Sequence, residues 1–379
     1  MAIAGLPVTT SLPSPIARRQ LTLWPLVMVM FFTVSGGPYG LEELVSQSGA
    51  GMSLLLIVVT PVIWSIPTAL MVAELSSMMP VEGGYYAWVK KALGPFWGFQ
   101  EGWWSWISSF VDMAIYPVLF ASYLSALLEQ ANITVLEEHA WAHWLVTLAV
   151  IWPLAYLNIR GAKPVGFSSV VFGLLVLAPF VVLSAIGIVS LMSGEGRPWE
   201  PLTPDEMPLV SAFGLGLFVV MWNYQGWDSV STVGEEIVRP RRTIPSMLLI
   251  TVPLVILTYL LPTLAGLTAQ PDISEWTEGS FPQIAAEAGG AWLGTWVAIG
   301  GLVSAVALYS ANLLSISRVP FVLAADGYLP QSITRTHPRY GTPWVAITVC
   351  SIIYSIFSIS TFANLVVIDV IVYAATPLL

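Results

Sequence analysis

The chain has 379 residues, of which 56% are hydrophobic and only 9% charged, and its mean hydropathy is +0.79. Soluble domains carry about 25% charged residues, so this composition excludes a soluble enzyme and points to a protein that crosses a membrane many times. The net charge of −9 argues against nucleic acid as a partner, and 3 histidines with 1 cysteine, Cys350, give no basis for a zinc site or a disulfide framework.

A span needs about 20 apolar residues. Ten segments meet this in chain order, roughly 21–48, 52–79, 96–127, 140–158, 165–192, 209–237, 244–267, 291–323, 343–359 and 362–379. Arg18 and Arg19 precede the first without a small-residue cleavage site, so it is read as an uncleaved span. With a cytoplasmic tail over 1–20, twelve of the 13 basic residues face the inner side and only Arg197 the outer. Glu129, Glu137 and Glu138, with the stretches 195–206 and 272–287, make the outer loops acidic. The positive-inside rule then orients the bundle in a plasma (inner) membrane. The stretch Gly83 to Gly94 has helical apolar spacing and two lysines, which predicts an interfacial amphipathic helix.

Two segments are interrupted. In the first, the apolar run Leu23 to Val34 reaches only about 18 Å, too short to cross alone. Ser35-Gly36-Gly37-Pro38 follows, and then Tyr39 to Gln47. In the sixth, Val210 to Trp222 is followed by Asn223-Tyr224-Gln225-Gly226-Trp227-Asp228, and then Ser229 to Glu236. Both predict a half-helix, a break and a second half-helix. Five spans apart, they enter from opposite sides, the pattern of a transporter built from inverted repeats. The plainer alternative is a kink in each helix with no function.

A broken helix exposes backbone groups inside the membrane. Free N–H groups attract a carboxylate and free C=O groups attract a cation. Glu42 and Glu43 lie one turn after the first break, Asp228 ends the second, and Asp112 and Asp369 lie within the third and tenth segments. Acids inside a membrane face cavities, pair or carry protons. Apart from Arg318 near an inner end, no basic residue in the spans neutralises them. Glu235 and Glu236, followed by Arg239, Arg241 and Arg242, predict a cytoplasmic helix end closed by ion pairs, a candidate inner gate. Glu74 reads in the same way. No nucleophile elbow or phosphate loop is present, so neither an enzyme nor a cofactor is expected.

These residues resemble the amino acid–polyamine–organocation transporter superfamily along nearly the whole chain. The match is carried by SGGP, PVEGGYYAWVKKALGPFWGFQEGW, NIRGAKPVG, NYQGWDSVSTVGEEIVRPRRTIP and ADGYLPQSITRTHPRYGTPWVA. SGGPYGLEE, VDMAIYPVLFASYL and WDSVSTVGEE are most similar to the polyamine–proton symporters, in a branch that also holds the L-type amino acid transporters. The resemblance implies an all-α polytopic fold of LeuT type, with inverted five-helix repeats over 21–192 and 209–379. It places the substrate between the two breaks, with the third and eighth spans as walls. It implies that N–H groups of Ser35, Gly36 and Gly37 hold a substrate carboxylate and that Trp222 gates the site. Asn223, Gln225 and Asp228 would meet the amine, with Glu43, Asp112 and Tyr116 completing the site. Glu42, Asp112 and Asp369 are the candidate proton carriers.

The chain departs from the amino acid members in two ways. Pro38 lacks the N–H that a carboxylate would use. A lysine that some members carry on the fifth span is replaced by Gly173. The family has twelve spans, and the last two are expected to be missing from a chain that ends at Leu379. The expected function is import of an amine-bearing solute, polyamine or amino acid, with protons, by alternating access. An amino acid exchanger or neutral amino acid permease is the alternative, and a non-transporting membrane sensor a remote one. Expected partners are the solute, protons and membrane lipid, and a homo-oligomer is left open.

Overall fold

A computed structural model describes residues 19–129, 133–194, 196–204, 207–277, 279–360 and 365. The rest of the segment read as a tenth span, Asp369 included, lies outside the described residues. Among the described residues the regular structure is helical, apart from two isolated β-bridges, Leu21 to Ile237 and Glu82 to Val233.

The first segment is α1 (Leu23–Val34) and α2 (Glu42–Ser48). Helix α1 stops because Ser35 is extended and Gly37 has a φ of 101°, which favours glycine. The second segment is α3 (Ala50–Thr60) and α4 (Ile66–Met78), joined by a π-turn over Pro61–Ser65. Pro61 has no N–H and its ring crowds the preceding turn, so the hydrogen-bond ladder widens there. The predicted amphipathic helix is α5 (Gly84–Leu93), which buries Tyr86 and Trp88. Then come α6 (Pro95–Glu129), the short α7 (Val135–Glu138), α8 (Ala140–Ile159) and α9 (Ala162–Met192).

The second half begins with α10 (Leu209–Asn223) and continues with α11 (Pro240–Ala269), α12 (Phe281–Gly289), α13 (Ala291–Ile316), α14 (Arg318–Ala325) and α15 (Trp344–Phe357). Among the described residues, six rods are long and apolar enough to cross a membrane: Ala50–Met78, Pro95–Ser125, Ala140–Ile159, Ala162–Met192, Pro240–Ala269 and Ala291–Ala325. Helices α1, α10 and α15 are shorter apolar pieces. This is a multi-pass membrane protein.

Two expectations need correction. The second half of the sixth segment is not an α-helix but two 3-10 turns, Ser229–Thr232 and Gly234–Glu236, with Val233 between them. The acidic outer stretch 272–287 is not all loop: α12 buries Phe281, Ile284 and Ala285 against Leu293 and Val297 of α13.

Helix α1 is the hub. Leu26, Val27, Val29, Met30, Phe31 and Phe32 are buried and share a core with Val220, Tyr224, Trp227, Tyr259, Ala307 and Ala311. Lipid is as apolar as these side chains, so close packing and hydrogen bonds, not escape from water, hold the helices together. The outward face fits a lipid surround, with Leu70, Phe167, Leu174, Val181, Val210 and Leu249 exposed.

Candidate functional site

The first segment is interrupted over Ser35 to Leu41, and the sixth over Tyr224 to Asp228. Gly226, with a φ of 88°, locks the two breaks together: a Cβ there would lie 2.3 Å from the Thr33 carbonyl oxygen. Side chains from neighbouring helices cover the carbonyls the breaks expose. Tyr259 Oη donates to the Asn223 carbonyl at 2.8 Å, Asn312 Nδ2 to the Phe32 carbonyl at 3.3 Å, and Ser304 Oγ to the Gly36 carbonyl. The breaks are therefore held open by α11 and α13.

A cavity of about 900 Å³ lies against both breaks. Gly36, Tyr39, Gly40 and Glu43 line it from the first, and Trp222, Asn223, Gln225 and Asp228 from the second. Helix α6 contributes Glu101, Ser105, Ser108, Asp112, Tyr116 and Tyr123. These recur at steps of three, four and seven residues, so they share one helical face. Glu101 and Asp112 stand about 16 Å apart along it at 1.5 Å per residue. Helix α13 adds Gly301, Ser304, Leu308 and Asn312.

The lining is acidic and aromatic. Glu43, Glu101, Asp112 and Asp228 face the cavity, and no Lys, Arg or His is among the described lining residues. Tyr116 Oη donates to Asp112 Oδ1 at 3.2 Å, while Glu101 lies within electrostatic reach of Asp228. Trp64, Tyr85, Trp88, Trp222 and Trp227 also line it, and aromatic ring faces attract cations. Such a surface suits an elongated organic cation with ammonium groups spaced along it.

Of the residues singled out in sequence, Gly36, Glu43, Asp112, Tyr116, Trp222, Asn223, Gln225 and Asp228 meet at this one cavity. Ser35, Gly37 and Glu42 sit behind it. The Ser35 N–H bonds to the Phe31 carbonyl at 2.6 Å and the Gly37 N–H to Ser35 Oγ at 3.2 Å, so two of the three expected carboxylate donors are engaged within the chain. Glu42 is fully buried, and its Oε2 accepts from the Gly40 N–H at 2.6 Å. Gly173 faces α1, where a Cβ would lie 2.0 Å from Met28 Cε.

The candidate inner gate is built differently from the sequence expectation. Glu236 bonds not to Arg239, Arg241 or Arg242 but to Arg318 at the start of α14. The 3-10 path turns its side chain inward, away from the following arginines, while Glu235 is half-buried. Sequence reading missed Glu101, which sits near the start of α6 where a charge is unremarkable. Its place at i, i+4 with Ser105 and i+11 with Asp112 was the available signal.

Comparison with known proteins fits this architecture. The family model for amino acid permeases matches residues 21–376. Polyamine transporter PUT1 of Oryza sativa subsp. japonica is 37% identical over 369 residues, covering 97% of this chain and 67% of the relative. Polyamine transporter RMV1 of Arabidopsis thaliana is 35% identical over 373 residues, covering 97% and 73%. The chain thus spans about two thirds of the length of the curated relatives it matches. Among solved structures, MhsT in complex with L-phenylalanine aligns with a TM-score of 0.66 at 17% identity, covering 90% of this chain and 79% of that one. That likeness establishes the LeuT-like fold.

Proposed function

The chain belongs to the amino acid permease family, and from that premise we propose that it is a secondary active importer of polyamines or related organic cations, driven with protons. The observation that carries this reading is the cavity at the two breaks, lined by Glu43, Glu101, Asp112 and Asp228 and by no basic residue. The names of the plant relatives point to the same substrate class.

In this reading Asp228 and Glu101 hold one ammonium group, and Asp112 and Glu43 another. Trp222, which is 41% exposed, closes over the site as substrate binds. Asn223 and Gln225 bond to the remaining N–H groups, and Gly36 lets the ligand reach the backbone. Ser35 and Gly37 shape the break, and Glu42, Asp112 and Asp369 are the proton carriers proposed for the membrane interior. Two inverted repeats, 21–192 and 209–379, would rock about the site and expose it to either side. The protein sits in the plasma membrane with its N-terminus in the cytoplasm and ten spans within this chain. A potential negative inside favours entry of each positive charge by about 2.3 kcal/mol per 100 mV, so a multiply charged amine needs little further coupling.

A second reading, a neutral amino acid permease or exchanger, rests on Gly36 lining the cavity beside Ser304, where a carboxylate can approach the backbone. Uptake of radiolabelled putrescine, spermidine, arginine and leucine into proteoliposomes, with and without a pH gradient, separates the two. Leucine uptake without polyamine uptake would sink the first.

A further inference from the structure

On the cytoplasmic side of the proposed topology, the loop after α4 is seated on the exit of the sixth segment. Glu82 forms an antiparallel bridge with Val233, and the Gly83 N–H bonds to the Thr232 carbonyl at 2.9 Å. No space separates the two strands. A Cβ on Gly84 would lie 2.1 Å from Ser231 Oγ, and one on Gly234 would lie 3.0 Å from the Pro80 carbonyl carbon. The same exit strand holds the base of the first segment: the Gln20 and Leu21 N–H groups both bond to the Glu236 carbonyl, at 2.6 and 3.0 Å.

Inside this seat lie two carboxyls and one guanidinium. Arg318 and Glu236 are fully buried, and Glu82 is 8% exposed. Arg318 Nε and Nη2 both donate to Glu236 Oε1, and Nη1 donates to Ser317 Oγ at 2.8 Å. Neither carboxyl oxygen of Glu82 has a hydrogen bond of good geometry, and the Glu235 backbone N–H offers only a weak contact. The groups that face Glu82 are Glu236 and Glu235 from the sixth-segment exit and Arg318 from α14. One guanidinium already committed to Glu236 cannot neutralise a second buried carboxylate as well. Burial first, and the Glu236 charge second, push the Glu82 carboxyl well above the usual carboxylate range, against the pull of Arg318.

We propose that Glu82 is a proton-binding site that controls the cytoplasmic end of the transporter. Its carboxyl is protonated while the 80–84 loop is seated, and the seat opens when that proton leaves. In the step, the Glu82 O–H bond breaks and the proton passes to water at the opening face. The carboxylate left behind competes with Glu236 for Arg318, which keeps its charge throughout. A carboxyl that is raised in the closed arrangement stabilises that arrangement at low pH, and the effect is lost as pH rises through its titration. The inference rests on the proposed topology and transport role but on no particular substrate.

The test uses the full chain in lipid nanodiscs. In pH-difference infrared spectra, the C=O stretch of a protonated carboxylic acid is expected to vanish as pH rises, and Glu82→Gln is expected to lack that component. Glu236→Gln removes the repelling charge and frees Arg318, so it should lower the titration by about one pH unit or more. For opening, Ser231→Cys in a Cys350→Ala background is labelled with a membrane-impermeant maleimide. Divided by the rate of a small free thiol at the same pH, which removes the rise in thiolate fraction, labelling should quicken about tenfold between about pH 5 and about pH 9 in the parent, and less than about twofold with Glu82→Gln. A pH-dependent carboxylic band that is unchanged in Glu82→Gln, or normalised labelling in the parent that ignores pH, overturns the proposal. Absence of amine uptake in a preparation whose band and labelling behave as stated instead overturns the substrate reading and supports the proton site.

Discussion

Arg318 and Glu236, both fully buried and 82 residues apart, are joined by two hydrogen bonds that converge on one carboxylate oxygen, at 2.9 Å from Nε and 2.6 Å from Nη2. The pair ties the junction of α13 and α14 to the exit of the sixth segment. Arg318→Met strands the Glu236 charge and should cost about 3–5 kcal/mol of stability. Adding Glu236→Leu should restore most of it, because two well-packed apolar groups replace the pair at little net cost. Thermal unfolding of the single and double variants in one detergent checks this. Equal destabilisation by the single and the double variant would contradict it.

Asp228 and Glu101 approach each other across the cavity with no basic residue between them. Asp228→Asn should weaken putrescine binding about tenfold to a hundredfold, the size of a lost charge-assisted hydrogen bond. Glu101→Gln should weaken it by a smaller factor. Both effects are expected in equilibrium binding of radiolabelled putrescine at fixed salt. An unchanged Kd for Asp228→Asn would remove that residue from the site.

Gly226 should not tolerate a side chain. Its φ of 88° strains any L residue, and a Cβ would meet the Thr33 carbonyl at 2.3 Å. Gly226→Ala should cost about 1–3 kcal/mol from overpacking, with backbone strain in addition. Gly214, in α10 with open space around its Cα, is the control. Gly214→Ala should be neutral or raise stability by up to about 1 kcal/mol. Size-exclusion profiles and melting curves of the two variants give the comparison.

On α9, Gly173 admits Met28 of α1, so no side chain can stand where some relatives carry a lysine unless Met28 moves. Gly173→Ala should therefore destabilise by about 1–3 kcal/mol. The double variant with Met28→Ala should recover part of that, since the clashing atom is the far end of a flexible side chain. Additive losses in the two variants would show that the contact is not the cause.

Much of the helical layout was legible in sequence because membrane spans announce themselves by length and apolarity. The first break was read to the residue on its inner flank, with α1 ending at Val34, since glycine and proline dictate the backbone locally. The exit of the sixth segment was not legible. The residues from Ser229 to Glu236 are compatible with a helix, yet they follow a 3-10 path because the loop around Glu82 and the first-segment base bond to that backbone. Helix α12 was hidden by its acidic neighbours, and only its packing on α13 reveals why Phe281 is apolar.

For the site, composition and motif brought Asp112 and Asp228 forward, because a charge in an apolar stretch stands out. Glu101 and Glu82 did not stand out, since both lie near segment ends where charge is ordinary. The sequence by itself determined that this chain is a many-spanning membrane protein with two interrupted helices, because hydropathy and backbone-breaking residues act locally. Only the tertiary structure decided which acids share one cavity, which are occupied by backbone N–H groups, and that Arg318 belongs to Glu236 and not to the ligand site. Those partnerships depend on contacts between residues far apart in the chain, and local pattern carries no record of them.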